Sequence, residues 1–155
     1  IDTWNSYLKD LGVRNFGYGW DRVENALWRV YHGELDGFDA EHIAIMLGTN
    51  NLHLNSHTEI VAGLKLLVEA VKNRQPRANI LLIGILPRIN NEASVEELNL
   101  EISRLAGEIN INYANIGSGL LKEDGKIDAT LFTDGLHPNN QGYSSIVQEL
   151  IQYLK

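Results

Sequence analysis

Short apolar runs alternate along the chain with longer stretches whose apolar residues recur every three or four positions, the pattern of strands joined by amphipathic helices. From Asp21 to His32 the spacing of Val23, Leu27, Val30 and Tyr31 is helical, with Asp21 placed to cap its start. A longer helix is predicted over Thr58–Arg74, with Ile60, Leu64, Leu67, Val68 and Val71 inside and Glu59, Lys65, Glu69 and Lys72 outside. Pro76 stops it. Ser94–Asn110 reads as the next helix, opening on a Ser94-x-x-Glu97 capping box. Gln141–Leu154 closes the chain, and Thr3–Leu11 is a short helix with Trp4, Leu8 and Leu11 on one face. Trp4 and Trp28 both fall at helical core positions. Between the helices, Val13–Phe16, His42–Leu47, Asn79–Leu86 and Ile111–Ile116 read as strands, and Pro87 ends the third of these.

Strands alternating with helices predict an α/β fold on a parallel sheet. Ligands of such sheets bind beyond the carboxyl ends of the strands. Three polar, glycine-containing turns lie at such ends: Gly17 to Asp21, Gly48 to Asn51, and the loop from Gly117 toward His137. The chain has no repeats, low-complexity tract or linker, and its 155 residues suit a single domain, 1–155.

Composition narrows the function classes. A net charge of -7 with no basic stripe argues against a nucleic-acid partner. The longest apolar run, Ile80 to Leu86, is too short to span a bilayer. Without cysteine there is no disulfide, thiolate nucleophile or thiolate metal site.

The chemistry concentrates in Thr133-Asp134-Gly135-Leu136-His137-Pro138-Asn139. Asp134 is spaced to accept from the His137 ring, fixing its tautomer for general-base work. The structural alternative is a plain Asp-Gly turn with Asn139 capping the last helix. In Gly48-Thr49-Asn50-Asn51 an amide just past a strand end can donate to an oxyanion, or else satisfy local backbone. Gly17-Tyr18-Gly19-Trp20-Asp21 carries the same two readings for its backbone N–H groups. His53 and His57 have metal-like spacing but lie in a polar loop with no third ligand, so no metal site is expected. None of Ser6, Ser56, Ser94, Ser103, Ser118, Ser144 or Ser145 lies in a strand-to-turn context that exposes a nucleophile.

Taken together, Asn15-Phe16-Gly17-Tyr18-Gly19, Leu27-Trp28-Arg29-Val30 with Gly33-Glu34-Leu35, Gly48-Thr49-Asn50-Asn51, Arg74-Gln75-Pro76, Leu86-Pro87-Arg88 and Asp134-Gly135-Leu136-His137 resemble the SGNH (GDSL-type) hydrolase superfamily. Within it the chain is most similar to the small α subunits of platelet-activating-factor acetylhydrolase and their bacterial acylhydrolase relatives. The resemblance implies a three-layer α/β/α flavodoxin-like fold and a serine esterase that removes a short acyl group, acetyl first, from a small ester or an acetylated glycan or lipid. It gives Asp134 and His137 as triad acid and base. It gives Asn50 as an oxyanion donor beside a backbone N–H at Trp20 or, by a one-residue slip, Gly19. No metal or organic cofactor is implied.

Two departures accompany it. The family's Gly-Asp-Ser-like block, with the nucleophile, has no counterpart, and by register it falls shortly before Ile1. The second-block glycine falls at Trp20. The expectation is therefore an N-terminally incomplete domain, inactive by itself, whose central first strand and serine lie upstream. Its open strand edges would be satisfied by that segment or by a second copy in a homo-oligomer. The alternative from another class is an inactive SGNH-like binding module that keeps the pocket without the nucleophile.

Overall fold

The computed structural model describes residues 2–154. Within it two compact units are distinguished, residues 17–85 with 98–114, and residues 2–16 with 86–97 and 115–154.

The first unit holds the sheet. Strands β1 (His42–Ile45), β2 (Asn79–Ile83) and β3 (Asn112–Ala114) run parallel in the order β1-β2-β3. His42 stands opposite Asn79, and Leu81 opposite Asn112. Parallel neighbours need long crossovers. Helices α3 (His57–Arg74) and α4 (Glu92–Glu108) supply them. The two helices are neighbours: Lys72 Nζ donates to the Ile109 carbonyl at 3.0 Å, and His57 Nδ1 lies 3.8 Å from Glu101 Oε1. Helix α2 (Val23–Tyr31) packs on α3, with Gly63 facing Val23. A Cβ on Gly63 would sit 3.1 Å from Val23 Cγ1.

Apolar periodicity sets the core. Ile60, Leu64, Leu67, Val68 and Val71 of α3, Val23, Ala26 and Val30 of α2, and Leu98, Ile102 and Leu105 of α4 are buried with Ile80 to Ile83. Strand β2 is buried throughout after Asn79, whereas β1, among the described residues, pairs on one side only, and its Ala44 is exposed. Two buried amides tie the loops to this core. Asn99 exchanges two hydrogen bonds with the Ile85 backbone, at 2.8 and 2.9 Å. Gln75 accepts from Ala40 N–H and donates to the Leu35 and Phe38 carbonyls. The Arg74-Gln75-Pro76 motif thus anchors the 35–40 loop through the buried Gln75 amide.

In the second unit, helix α1 (Asp2–Tyr7) packs on α5 (Asn140–Leu150). Asn139 caps α5, its Oδ1 accepting from Gln141 and Gly142 N–H at 3.0 and 3.1 Å. Gly142 is required there, because a Cβ would fall 2.5 Å from the Leu131 carbonyl.

Several expectations are corrected. Val13–Phe16 is irregular, with Val13 and Phe16 half-buried and Arg14 and Asn15 exposed, and it joins no ladder. The sheet therefore has three strands among the described residues, one fewer than the sequence pattern predicts. Strands β1, β2 and β3 are each shorter than their apolar runs, because ladder pairing ends before the apolar pattern does. Helix α4 starts at Glu92, which puts Ser94 in its first turn rather than at a cap. The sequence signature is instead realised in α3, where Ser56 Oγ accepts from Glu59 N–H and Glu59 returns a bond to Ser56 N–H. Trp28 is 61% exposed rather than in the core. Its indole stacks on His32 with centroids 3.9 Å apart.

Candidate active site

The segment 133–137 folds into a closed loop. Thr133 N–H and Oγ1 both donate to the His137 carbonyl at 2.9 Å. Gly135 adopts φ +79°, and a Cβ there would meet Ile89 Cγ2 at 2.7 Å, so only glycine suits the position. Ile89 N–H donates to the Gly135 carbonyl at 2.8 Å and fixes the loop from outside.

That closure sets Asp134 against His137. Asp134 Oδ2 lies 2.7 Å from His137 Nδ1, while Oδ1 accepts from His137 N–H at 2.7 Å and Leu136 N–H at 3.0 Å. These bonds, the His137 N–H first, hold the Asp134 carboxyl well below the ordinary carboxylate range. An ionised Asp134 on Nδ1 selects the tautomer with its proton there, which leaves Nε2 as the proton acceptor. Both side chains are more than half exposed, so the pair contributes little to stability. Its consequence is geometric. The turn and the Asn139 cap are both present, and within that turn the Asp134 carboxylate stands beside the His137 ring.

The second constellation surrounds the turn after β1. Asn50 Nδ2 donates to the Asp21 carbonyl at 2.8 Å, which occupies one of its two amide hydrogens and leaves the other for a ligand. Asn51 faces the other way, accepting from Val23 N–H and donating to Glu24 and Asn55, each at 3.0 Å. Asn51 therefore caps α2, and its bond also draws the Glu24 carboxyl below its usual range. Asp21 is not the cap that the sequence predicts. Its carboxylate is taken by Arg29, at 2.8 and 2.6 Å.

The turn Tyr18-Gly19-Trp20-Asp21 closes through Asp21 N–H to the Tyr18 carbonyl at 3.3 Å. Trp20 holds φ +65°, while Gly19 is not in the left-handed region. Trp20 therefore sits at the turn position that favours glycine, at a cost of about 1–2 kcal/mol. Of the two candidate donors in this turn, Trp20 is the one in the left-handed region and Gly19 is not. The Trp20 indole is 88% exposed, so the strain is not offset by burial.

Arg29 and Glu34 received no role from the sequence, although both lie in a quoted motif. Arg29 Nε donates to Glu34 at 2.8 Å, and the guanidinium lies over the Tyr18 ring at 4.5 Å. Its two carboxylate partners, Asp21 first, hold the Arg29 proton more tightly than usual. The available signal was an Arg flanked by acids eight residues before and five after. His53 and His57 are not brought together with a third ligand, and no group of three metal-ligating side chains occurs among the described residues. No helix among the described residues is long and apolar enough to cross a membrane.

Comparison with known proteins agrees with this architecture. The chain is 30% identical over 154 residues to platelet-activating factor acetylhydrolase IB subunit alpha2 of Rattus norvegicus, covering 96% of this chain and 67% of that protein. It is 29% identical to the human alpha1 subunit over the same length, covering 66% of that protein. A GDSL-like lipase from Bacteroides thetaiotaomicron superposes with a TM-score of 0.85 at 18% identity, covering 99% of this chain and 80% of that one, which is a likeness of fold. The GDSL-like lipase/acylhydrolase family model matches residues 2–144, through both compact units. With its parallel α/β fold and its relatives at this level of identity, the chain is by resemblance an SGNH-type ester hydrolase, and it belongs to the GDSL-like lipase/acylhydrolase family.

Proposed function

We propose that His137 is the general base and Asp134 its orienting acid in the hydrolysis of a short acyl ester, acetyl first, with the Asn50 amide and the Trp20 turn donating to the oxyanion. What supports this reading is the 2.7 Å contact between Asp134 Oδ2 and His137 Nδ1, which leaves Nε2 unpartnered among the described residues. In the reaction Nε2 takes the proton of a serine hydroxyl as it attacks the ester carbonyl. It then returns the proton to the leaving alcohol, and water repeats the cycle on the acyl-enzyme. Each oxyanion donor is worth about 2.7–4 kcal/mol of transition-state stabilisation. The acetyl preference rests on the name of the acetylhydrolase relatives.

The serine is proposed to come from a segment outside these 155 residues, a reading supported by the sequence context of the seven serines, none of which follows a strand into a turn that would expose a nucleophile. The substrate is a small ester, with acetylated glycans and lipids as the candidate classes, and the proposed serine–histidine chemistry calls for no metal or organic cofactor. Turnover of p-nitrophenyl acetate by this chain, compared with a version extended upstream in its gene, tests the reading. Activity in the extended protein that His137→Ala abolishes is expected. Background rates from both proteins would instead favour a binding module that keeps the acid–imidazole pair without a nucleophile.

A further inference from the structure

The candidate oxyanion donor is anchored to a turn under strain, and one side chain grips that turn at both ends. Tyr18 and Asp21 are its first and fourth residues. Arg29 lays its guanidinium over the Tyr18 ring at 4.5 Å and forks onto both Asp21 carboxylate oxygens at 2.8 and 2.6 Å. Glu34 holds the remaining edge of the guanidinium at 2.8 Å. Between the gripped ends, Trp20 is at φ +65°. The Asp21 carbonyl at the far end is the acceptor for Asn50 Nδ2.

We propose that Arg29 is a positioning residue: it holds the Tyr18–Asp21 turn closed against the strain at Trp20, and so fixes the carbonyl that aims the Asn50 amide. The catalytic consequence rests on reading Asn50 as an oxyanion donor; the positioning itself does not. Helix α2 does not need Arg29 for its start, because Asn51 caps Val23. The Asp21–Arg29 pair is also mostly shielded, with side-chain exposures of 12% and 20%, unlike a screened surface pair. A lysine at this position would keep the charge but lose both the planar fork and the ring stacking.

The test is R29K in the isotope-labelled full chain, following the two side-chain amide hydrogens of Asn50 by NMR. Their distinct shifts are expected to converge toward those of a free amide, with exchange faster by roughly tenfold. Adding W20G should restore most of the signature, because glycine holds a positive φ without a clamp. E34Q, which keeps the Asp21 fork, should shift the same signals less. Unchanged Asn50 resonances in R29K would overturn the proposal, as would equal losses in R29K and in R29K with W20G. In the upstream-extended protein, R29K should lower kcat by roughly tenfold with KM unchanged, less than outright loss of a donor. N50A separates the two ideas. Full kcat in N50A, beside altered Asn50 signals in R29K, would remove the donor reading and leave the clamp.

Discussion

Asn51 caps helix α2 from 28 residues away, its Oδ1 accepting the Val23 N–H at 3.0 Å. Its neighbour Asn50 turns instead to the Asp21 carbonyl. One strand-exit turn thus divides its two amides: Asn51, only 3% exposed, holds the fold, and Asn50 retains donor capacity.

Asn51→Ala would strand the Val23 N–H at a buried helix start and remove a donor from Glu24. Leaving a buried donor unpaired costs about 1–3 kcal/mol, and losing the other bonds adds to it. Urea denaturation should show a loss of about 2–3 kcal/mol, with α2 amides exchanging faster than those of β2. A loss below about 0.5 kcal/mol, the range of a neutral surface change, would show that α2 does not depend on this cap.

Gly135→Ala tests the loop that joins Asp134 to His137. The new methyl would meet Ile89 Cγ2 at 2.7 Å on a backbone at φ +79°. Overpacking and the left-handed backbone should together cost about 2–4 kcal/mol. Ile89→Ala in the same background removes the 2.7 Å contact but keeps the Ile89 Cβ at 3.0 Å, so it should recover only part of the steric cost and leave the backbone strain of about 1 kcal/mol in place. Full recovery in the double variant, measured by thermal denaturation, would show that glycine is needed there only for space.

Much of this was legible in the sequence, and what was not has identifiable physical causes. The α3 stripe of Ile60, Leu64, Leu67, Val68 and Val71 is buried as its spacing predicts, because a long amphipathic period has only one way to face a core. Val13–Phe16 misled because a strand exists only through its partners, and four residues of β-propensity cannot supply a ladder. Trp28 misled because bulk suggests burial, yet it lies off the stripe formed by Val23, Ala26 and Val30. The Asp134–His137 pair was readable because all its geometry is local to four residues. The Arg29 clamp joins a helix to turns on either side of it, a juxtaposition that composition does not encode.

Asp134 also fixes a pH expectation. Its folded-state pKa is depressed, first by the His137 N–H and then by the His137 ring, below the ordinary carboxylate value of about 3.9. The contribution of the loop is therefore complete above that ordinary value and is lost only as pH falls through the lower, folded-state value. Carbon NMR of the Asp134 carboxyl should show no titration between neutrality and about pH 4. A midpoint near the ordinary value would mean that the His137 and Leu136 N–H bonds do not form in solution. Any acid limb of activity between about pH 5 and 7 must then belong to a group other than Asp134.

Strand β1 offers the last expectation. Among the described residues it pairs with β2 alone, Ala44 is exposed, and Met46 just beyond it is 43% exposed. A parallel strand bonded on one side directs alternate backbone groups outward, and such an edge recruits another strand. We propose that a further strand completes the sheet here, supplied by a segment outside these residues or by a second copy of the chain. In dilute solution of this chain, hydrogen exchange across His42–Ile45 should alternate, with amides bonded to β2 slow and outward amides fast. Protection of the fast amides that grows with protein concentration, together with a larger sedimenting species, would identify a second copy. Protection that arises only in the upstream-extended protein, at any concentration, would identify a segment of the same molecule. Uniformly slow exchange along β1 in the dilute chain would mean that the edge is already covered, and neither completion would then be required.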